Sequence, residues 1–335
     1  MRYRTIGTTG VKVSEIGFGC GNNAVLMVKA PYDEQVKVVR RALDAGITFF
    51  DTAFAYGLGK SEENLGRILK DLGVNPVVST KIRLEADCVS DIKAATIRAV
   101  EAGLERLGRE RVDFVQLHTR VTQARGMEKR FSLTPQDVLG TGGVANSVIA
   151  GFKAMRGRGK VGFFGFSGLG ETPALHELVD SGEFHGFQCY YNLLNPSAGQ
   201  PVPKNFSAQD YGLILERAAA KGMGAFIIRV LAAGALTADP SAGGGGSGQT
   251  LSPGSDYPRD LQRTEKVKTA LGVAAKDLTQ AAIRFGSMHQ TTAAVLVGFS
   301  NTTHVDEAVA CSEMAGLSDE QMGKMRKLWE TDFNN

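Results

Sequence analysis

Eight short apolar runs, rich in β-branched and aromatic residues, recur along almost the whole chain and constrain its fold more than any other feature. They lie at residues 15–19, 47–51, 77–81, 113–118, 161–167, 187–191, 224–229 and 293–298. Each is nearly continuously apolar, the pattern of a strand covered on both faces. Between them run amphipathic helical stretches, among them 33–45, 60–72, 91–107, 208–221 and 278–287, with two more at 305–315 and 318–330. In the stretch 60–72, Leu65, Ile68, Leu69 and Leu72 share one face while Glu62, Glu63, Arg67 and Lys70 fall mostly elsewhere. Gly46, Gly73, Gly108 and Gly222 stand where helices should end. This repeated alternation predicts an α/β fold, a closed (β/α)8 TIM barrel formed by one domain over residues 1–335. The segment GFGCGNN after the first run has closely spaced glycines but no GxGxxG, and no helix opens directly on it. A doubly wound dinucleotide-binding sheet is therefore not indicated.

Three insertions, 119–146, 192–207 and 231–258, follow the fourth, sixth and seventh runs. A boundary at the last, which contains PSAGGGGSGQTLSPGSDYP, would leave the eighth strand outside its barrel, so these read as long loops on the C-terminal face. The glycine-rich run is expected to become ordered over a bound ligand. With 43% hydrophobic and 22% charged residues, composition is that of an ordinary globular chain. The net charge of +3 is too small to suggest a polyanion-binding surface, so no nucleic-acid partner is expected. Cys20, Cys88, Cys189 and Cys311 lie far apart with no CxxC pair, which signals neither a zinc site nor a redox pair. No secretory leader is read at the N-terminus. Arg229 interrupts the most apolar stretch, GAFIIRVLAAGAL, so no membrane span is expected. The chain reads as soluble and cytoplasmic.

In such a barrel, polar residues at the C-terminal ends of strands are the first candidates for chemistry. The second run ends at Asp51, with Tyr56 just beyond it; the third ends at Lys81 and the fourth at His118. This set suits proton transfer to a carbonyl. A tyrosine near pKa ~10 is a weak acid–base at neutral pH, and a lysine ammonium beside it stabilises phenolate and lowers that value. An aspartate holds the lysine charged and in place, and a histidine orients the carbonyl oxygen. None of these groups donates a hydride, so redox chemistry here calls for a nicotinamide cofactor.

The quartet Asp51, Tyr56, Lys81 and His118, set within FFDTAFAYGLGKSEENLGRIL, VVSTKI and DFVQLH, resembles the aldo-keto reductase superfamily. The resemblance also runs through RYRTIGTTGVKVSEIGFGCG, VGFFGFSG, QCYYNLLNP and VLVGFSNTTHVDEA, and so spans almost the whole chain. It implies that Tyr56 is the general acid–base, that Lys81 and Asp51 support it, and that His118 orients a small carbonyl substrate. It also implies a hairpin from residues 2–13 closing the barrel bottom. Phe54, Leu84, Val121 and Leu231 suggest a largely apolar pocket at the mouth. A barrel that binds cofactor without turnover is the alternative, but it has no need of Tyr56. A metal-dependent hydrolase would need clustered His and carboxylate ligands at strand ends, where His118 is the only histidine and no HxH occurs.

The same resemblance implies cofactor contacts from Gly19, Cys20, Gly21 and Asp51, and from Ser167, Gln188 and Tyr191 near the nicotinamide. After the fifth strand the usual Ser-Asn is Ser167-Gly168 here. At the seventh strand, where many relatives carry an aromatic ring and then Ser-Pro-Leu, this chain has Ile228, Arg229, Val230 and Leu231. Ile228 and Leu231 offer apolar contact, and Arg229 suits a pyrophosphate. Gly298, Phe299, Ser300, Asn301, His304 and Glu307 match the segment that binds the adenosine end. NADP(H) is favoured, with NAD(H) second. Asn301 and His304 occupy places where NADPH-preferring relatives often carry Arg or Lys, so the expected selectivity is modest.

Overall fold

Strands this apolar need cover on both faces, and a ring of helices outside with packed side chains inside supplies it. The computed structural model describes residues 1–21, 25–84, 91–123, 138–238 and 256–334. The eight apolar runs form strands β1 (Ile16–Gly19), β2 (Phe49–Asp51), β3 (Val77–Ile82), β4 (Val112–Leu117), β5 (Val161–Ser167), β6 (Gly186–Tyr190), β7 (Gly224–Ile228) and β8 (Thr292–Gly298). Each pairs in parallel with the next, and β8 pairs with β1, so the sheet is a closed barrel. Helices α1 (Tyr32–Asp44), α2 (Lys60–Asp71), α3 (Ile92–Leu107), α4 (Ile149–Gly157), α5 (Thr172–Asp180), α6 (Ile214–Ala220), α7 (Ala275–Met288) and α8 (Thr302–Cys311) follow the strands in turn.

Alternation along each strand divides the barrel interior by height. The rings of Phe49, Phe114 and Phe226 meet inside it, with centroids 4.8 Å apart for Phe49 and Phe226 and 5.2 Å apart for Phe114 and Phe226. Ile6 and Val13 pack into the same cluster. They come from an antiparallel hairpin, Tyr3–Thr5 with Lys12–Ser14, which covers the N-terminal end of the strands. Beneath it Glu15, fully buried, receives Arg2 at 2.8 Å and Arg4 at 2.5 Å. Two residues further along the same strand faces, the interior becomes polar: Asp51 follows Phe49, Lys81 follows Ser79, Gln116 follows Phe114, and Gln188 follows Gly186.

The expected helix at 208–221 is shorter in the structure. Asn195 Nδ2 donates to the Gln209 carbonyl and the Tyr211 amide donates to Ser197 Oγ. Gly212 and Leu213 then take left-handed φ values of 56° and 55°, and regular helix starts only at Ile214. The insertion at 119–146 contributes a two-stranded parallel pair, Arg120–Thr122 with Val138–Gly140. It also starts the helical run into α4, through Thr141–Gly143 and a π-helical turn at Val144–Val148. Most of the glycine-rich run lies at 239–255, outside the described residues, as does Cys88. The chain resumes with a helix at Tyr257–Leu271, capped by Asp256 Oδ1 on the Arg259 amide. A final helix, Asp319–Glu330, brings Trp329 Nε1 to the Leu193 carbonyl at 3.0 Å. Among the described residues, no helix is long and apolar enough to cross a membrane.

Candidate active site

Asp51 is the last residue of β2 and points into the barrel, where water cannot solvate it, so its charge must be met by protein donors. Lys81 Nζ lies 2.5 Å from its Oδ2, Gln188 Nε2 donates to the same oxygen at 2.8 Å, and Gln116 Nε2 approaches Oδ1 at 3.3 Å. Gln116 is itself fixed by Ser79 Oγ at 2.8 Å. Lys81, only 1% exposed, completes its donor set with the Thr52 carbonyl at 2.8 Å and Tyr56 Oη at 3.1 Å. The structure therefore joins Asp51, Lys81 and Tyr56 into one hydrogen-bonded chain. The His118 ring stands edge-on to Tyr56, with centroids 5.9 Å apart.

Tyr56 sits in the turn between β2 and α2. Its carbonyl accepts the Ser61 amide and its amide donates to the Ala53 carbonyl. Contrary to the sequence expectation, the phenol is raised above its ordinary pKa, because burial outweighs the lowering effect of the Lys81 charge. Burial also opposes the Lys81 ammonium, but Asp51 and Tyr56 outweigh it and leave the lysine raised. His118 is held well below its usual value, first by burial and then by the Lys81, Arg120 and Arg83 charges. At neutral pH the site thus combines a protonated phenol, a charged lysine and a neutral imidazole.

Around this centre the strand ends form a rim. Gly19 ends β1 between Asp51 and Gly298, and a Cβ there would lie 3.1 Å from the Val297 carbonyl. The Cys20 amide donates to the Asp51 carbonyl, while its thiol is fully buried and raised by that burial. Gly21 lies beside the Tyr56 ring. Ser167, the last residue of β5, has a buried Oγ with no hydrogen-bond partner among the described residues. Ile228 ends β7 level with Tyr190, and Leu231 is partly buried a few residues on. Arg229 takes a left-handed φ of 56°, is itself partly buried, and has no ion pair among the described residues. Among the described residues, a buried hydroxyl without a partner at one strand end and a guanidinium without an acid partner just past another fit the amide and phosphate groups of a nicotinamide dinucleotide.

Some expectations change at atomic detail. Gln188, expected at the nicotinamide, uses its amide nitrogen on Asp51. Tyr191 faces the opposite side of the sheet, packed on Phe285 with centroids 4.6 Å apart; Tyr190 is the ring that shares the inner face with Gln188. Leu84 and Val121 are buried in the main core and leave only Phe54 and Leu231 partly accessible among the four expected pocket residues. The Phe299 side chain is buried edge-on against Phe18, so only its backbone is available. Gly298, Ser300, Asn301, His304 and Glu307 are exposed. Asn301 caps α8 by accepting the His304 amide at 3.0 Å, and its Nδ2 lies 3.4 Å from the His304 ring. Gln116 escaped the sequence reading altogether, although its place two residues before His118 puts it on the inward face.

A parallel barrel whose mouth carries a buried carboxylate–lysine pair bound to a phenol has the groups and the hydrogen bonds that moving a proton requires. The model of the Aldo/keto reductase family matches residues 15–330, and the chain belongs to that family. L-galactose dehydrogenase of Arabidopsis thaliana is 26% identical over 344 aligned residues, covering 98% of this chain and 95% of that protein. An aldo-keto reductase from Bacillus halodurans, in its holo form, superposes with a TM-score of 0.73 at 20% identity, covering 98% of this chain and 97% of that one. An aldo/keto reductase from Klebsiella pneumoniae, solved with NADP and acetate, gives 0.66 at 19% identity, with 98% and 96% covered. Family and full-length relative together support an oxidoreductase.

Proposed function

We propose that the chain interconverts a small carbonyl compound, an aldehyde, ketone or aldose, with the corresponding alcohol or lactone, using NADP(H) or, second, NAD(H). The observation that carries this reading is Lys81 Nζ, shared between Asp51 Oδ2 and Tyr56 Oη at the barrel mouth. When bound, the cofactor would exchange a hydride with the substrate carbon. Ser167, Gln188, Arg229, the backbone of residues 19–21 and the segment 298–304 would hold it. Asn301 and His304, standing where an Arg or Lys would grip a 2′-phosphate, support only a modest preference for NADP(H).

The chain's own groups handle the proton. Tyr56 Oη gives it to the carbonyl oxygen in reduction, and Lys81 compensates the phenolate that remains. Asp51 keeps Lys81 charged and aimed at Tyr56, while Gln116 and Gln188 keep Asp51 from turning away. His118, neutral, orients the substrate oxygen by a hydrogen bond. An aldose among the substrates is consistent with the relative named L-galactose dehydrogenase.

Substituting Tyr56→Phe keeps the ring and removes the proton. Turnover across a panel of aldehydes, ketoses and aldoses should fall ~10²–10⁴-fold, while calorimetric affinity for the cofactor stays nearly intact. Wild-type rates in this variant would refute the assignment.

A further inference from the structure

The Tyr56 turn is fastened from outside the barrel by groups that the proton-transfer chain does not use. Glu62, in the first turn of α2, is fully buried, and its carboxylate has two partners. Oε1 accepts from Thr80 Oγ1 at 2.5 Å, next to Lys81 on β3, and Oε2 accepts from Arg106 Nε of α3 at 2.6 Å. Arg106 then continues over the turn. Its guanidinium carbon lies 4.9 Å from the centroid of the Phe54 ring, within cation–π range. Its Cδ packs so closely on Gly59, at φ 95°, that a Cβ there would lie 2.5 Å away. Phe54 and Gly59 bracket Tyr56. The Phe54 amide donates to the Lys81 carbonyl at 3.2 Å, and the Gly59 amide returns to the Phe54 carbonyl at 2.7 Å. Among the described residues the Tyr56 backbone bonds only within its own turn, to Ala53 and Ser61, so the side-chain contact of its Oη with Lys81 depends on how these two anchors hold that turn.

We infer that Arg106 is a positioning residue for Tyr56: paired with Glu62, it clamps Phe54 and Gly59 and so sets the Tyr56 Oη to Lys81 Nζ contact. This rests on Tyr56 being the proton donor. The clamp has two parts that chemistry can separate. Arg106→Lys keeps a cation for Glu62 but loses the planar contact with Phe54. Arg106→Leu loses both and leaves a buried carboxylate without its cation, which threatens folding. The double variant Arg106→Leu with Glu62→Gln removes that unpaired charge and keeps the clamp testable.

Two readouts test the inference. In the cofactor-free protein labelled with 13Cζ-tyrosine, the Tyr56 signal is the one of the 7 tyrosines lost in Tyr56→Phe. It should move in the Arg106→Leu and double variants while the other tyrosine signals hold, and move less in Arg106→Lys. Carbonyl reduction should drop about 10–100-fold in kcat in both Leu variants, since an ångström of misplacement suffices for that. In the Tyr56→Phe background the same substitutions should change kcat by less than about twofold, because the group they position is gone. A Tyr56 signal that stays put, or a general movement of all the tyrosines, would overturn the inference. So would an equal loss of kcat in both backgrounds. If Tyr56→Phe alone keeps wild-type turnover, it is the proton-donor reading that fails.

Discussion

Burial moves Tyr56 and His118 away from neutral pH in opposite directions, one up and the other down. The protonated phenol and the neutral imidazole therefore coexist over a wide range. Carbonyl reduction should run at a nearly constant rate between about pH 6 and 9, because the ordinary histidine value near 6.5 no longer applies. It should fall only at higher pH, as the Tyr56 and Lys81 pair loses its proton, while alcohol oxidation should rise with pH as that proton becomes easier to remove. A stopped-flow pH profile of kcat checks this, and an inflection near 6.5 that vanishes in His118→Asn would contradict it. The residues of this chain differ in how readable they were. Asp51, Lys81 and His118 stand at the ends of apolar runs, where a charge or an imidazole is conspicuous. Gln116 and Gln188 are neutral, and their role appears only when alternation is followed across the closed ring to the two oxygens of the Asp51 carboxylate. Tyr190 and Tyr191 are adjacent in sequence, and only the register of β6 decides which ring faces inward.

At the scale of elements, helices must approach closely wherever their strands are neighbours, and α2 meets α3 through a glycine. A Cβ on Gly66 would lie 2.1 Å from the Leu107 carbonyl oxygen, a backbone atom with nowhere to go. Gly66→Ala raises helix propensity and yet should destabilise the protein by about 1–3 kcal/mol, since overpacking outweighs propensity. A thermal melt lower than wild type by roughly 2–4 °C per kcal/mol is the expected sign. An unchanged or higher Tm would mean that the two helices slide apart freely. Strand positions were legible because a strand buried on both faces has a composition of its own. The boundaries of α6 were not, because its apolar periodicity continues upstream through residues whose backbone groups are claimed by Asn195 and Ser197. The cap of α8 was equally hidden. Asn301 was read as a ligand contact, and the structure uses its carbonyl oxygen on the His304 amide.

Over the whole molecule, the barrel separates its tasks by end. The N-terminal end is sealed by the hairpin and by Glu15 beneath Arg2 and Arg4, far along the strands from Tyr56. Glu15→Gln leaves two arginines facing an uncharged amide and should lower stability by about 1–3 kcal/mol. The folded fraction should keep its kcat at 20 °C. A loss of kcat without loss of Tm would show that the two ends communicate. The pairing of β8 with β1 joins the strand that starts at Ile16 to one that finishes only at Gly298. While the ribosome is still making the chain, the growing sheet therefore has two unpaired edges, both apolar, that no internal partner can yet cover. Those edges are the surface on which a chaperone would act and on which nascent copies would aggregate. Slowing translation just before the β8 codons should lengthen that exposure more than a pause anywhere after them.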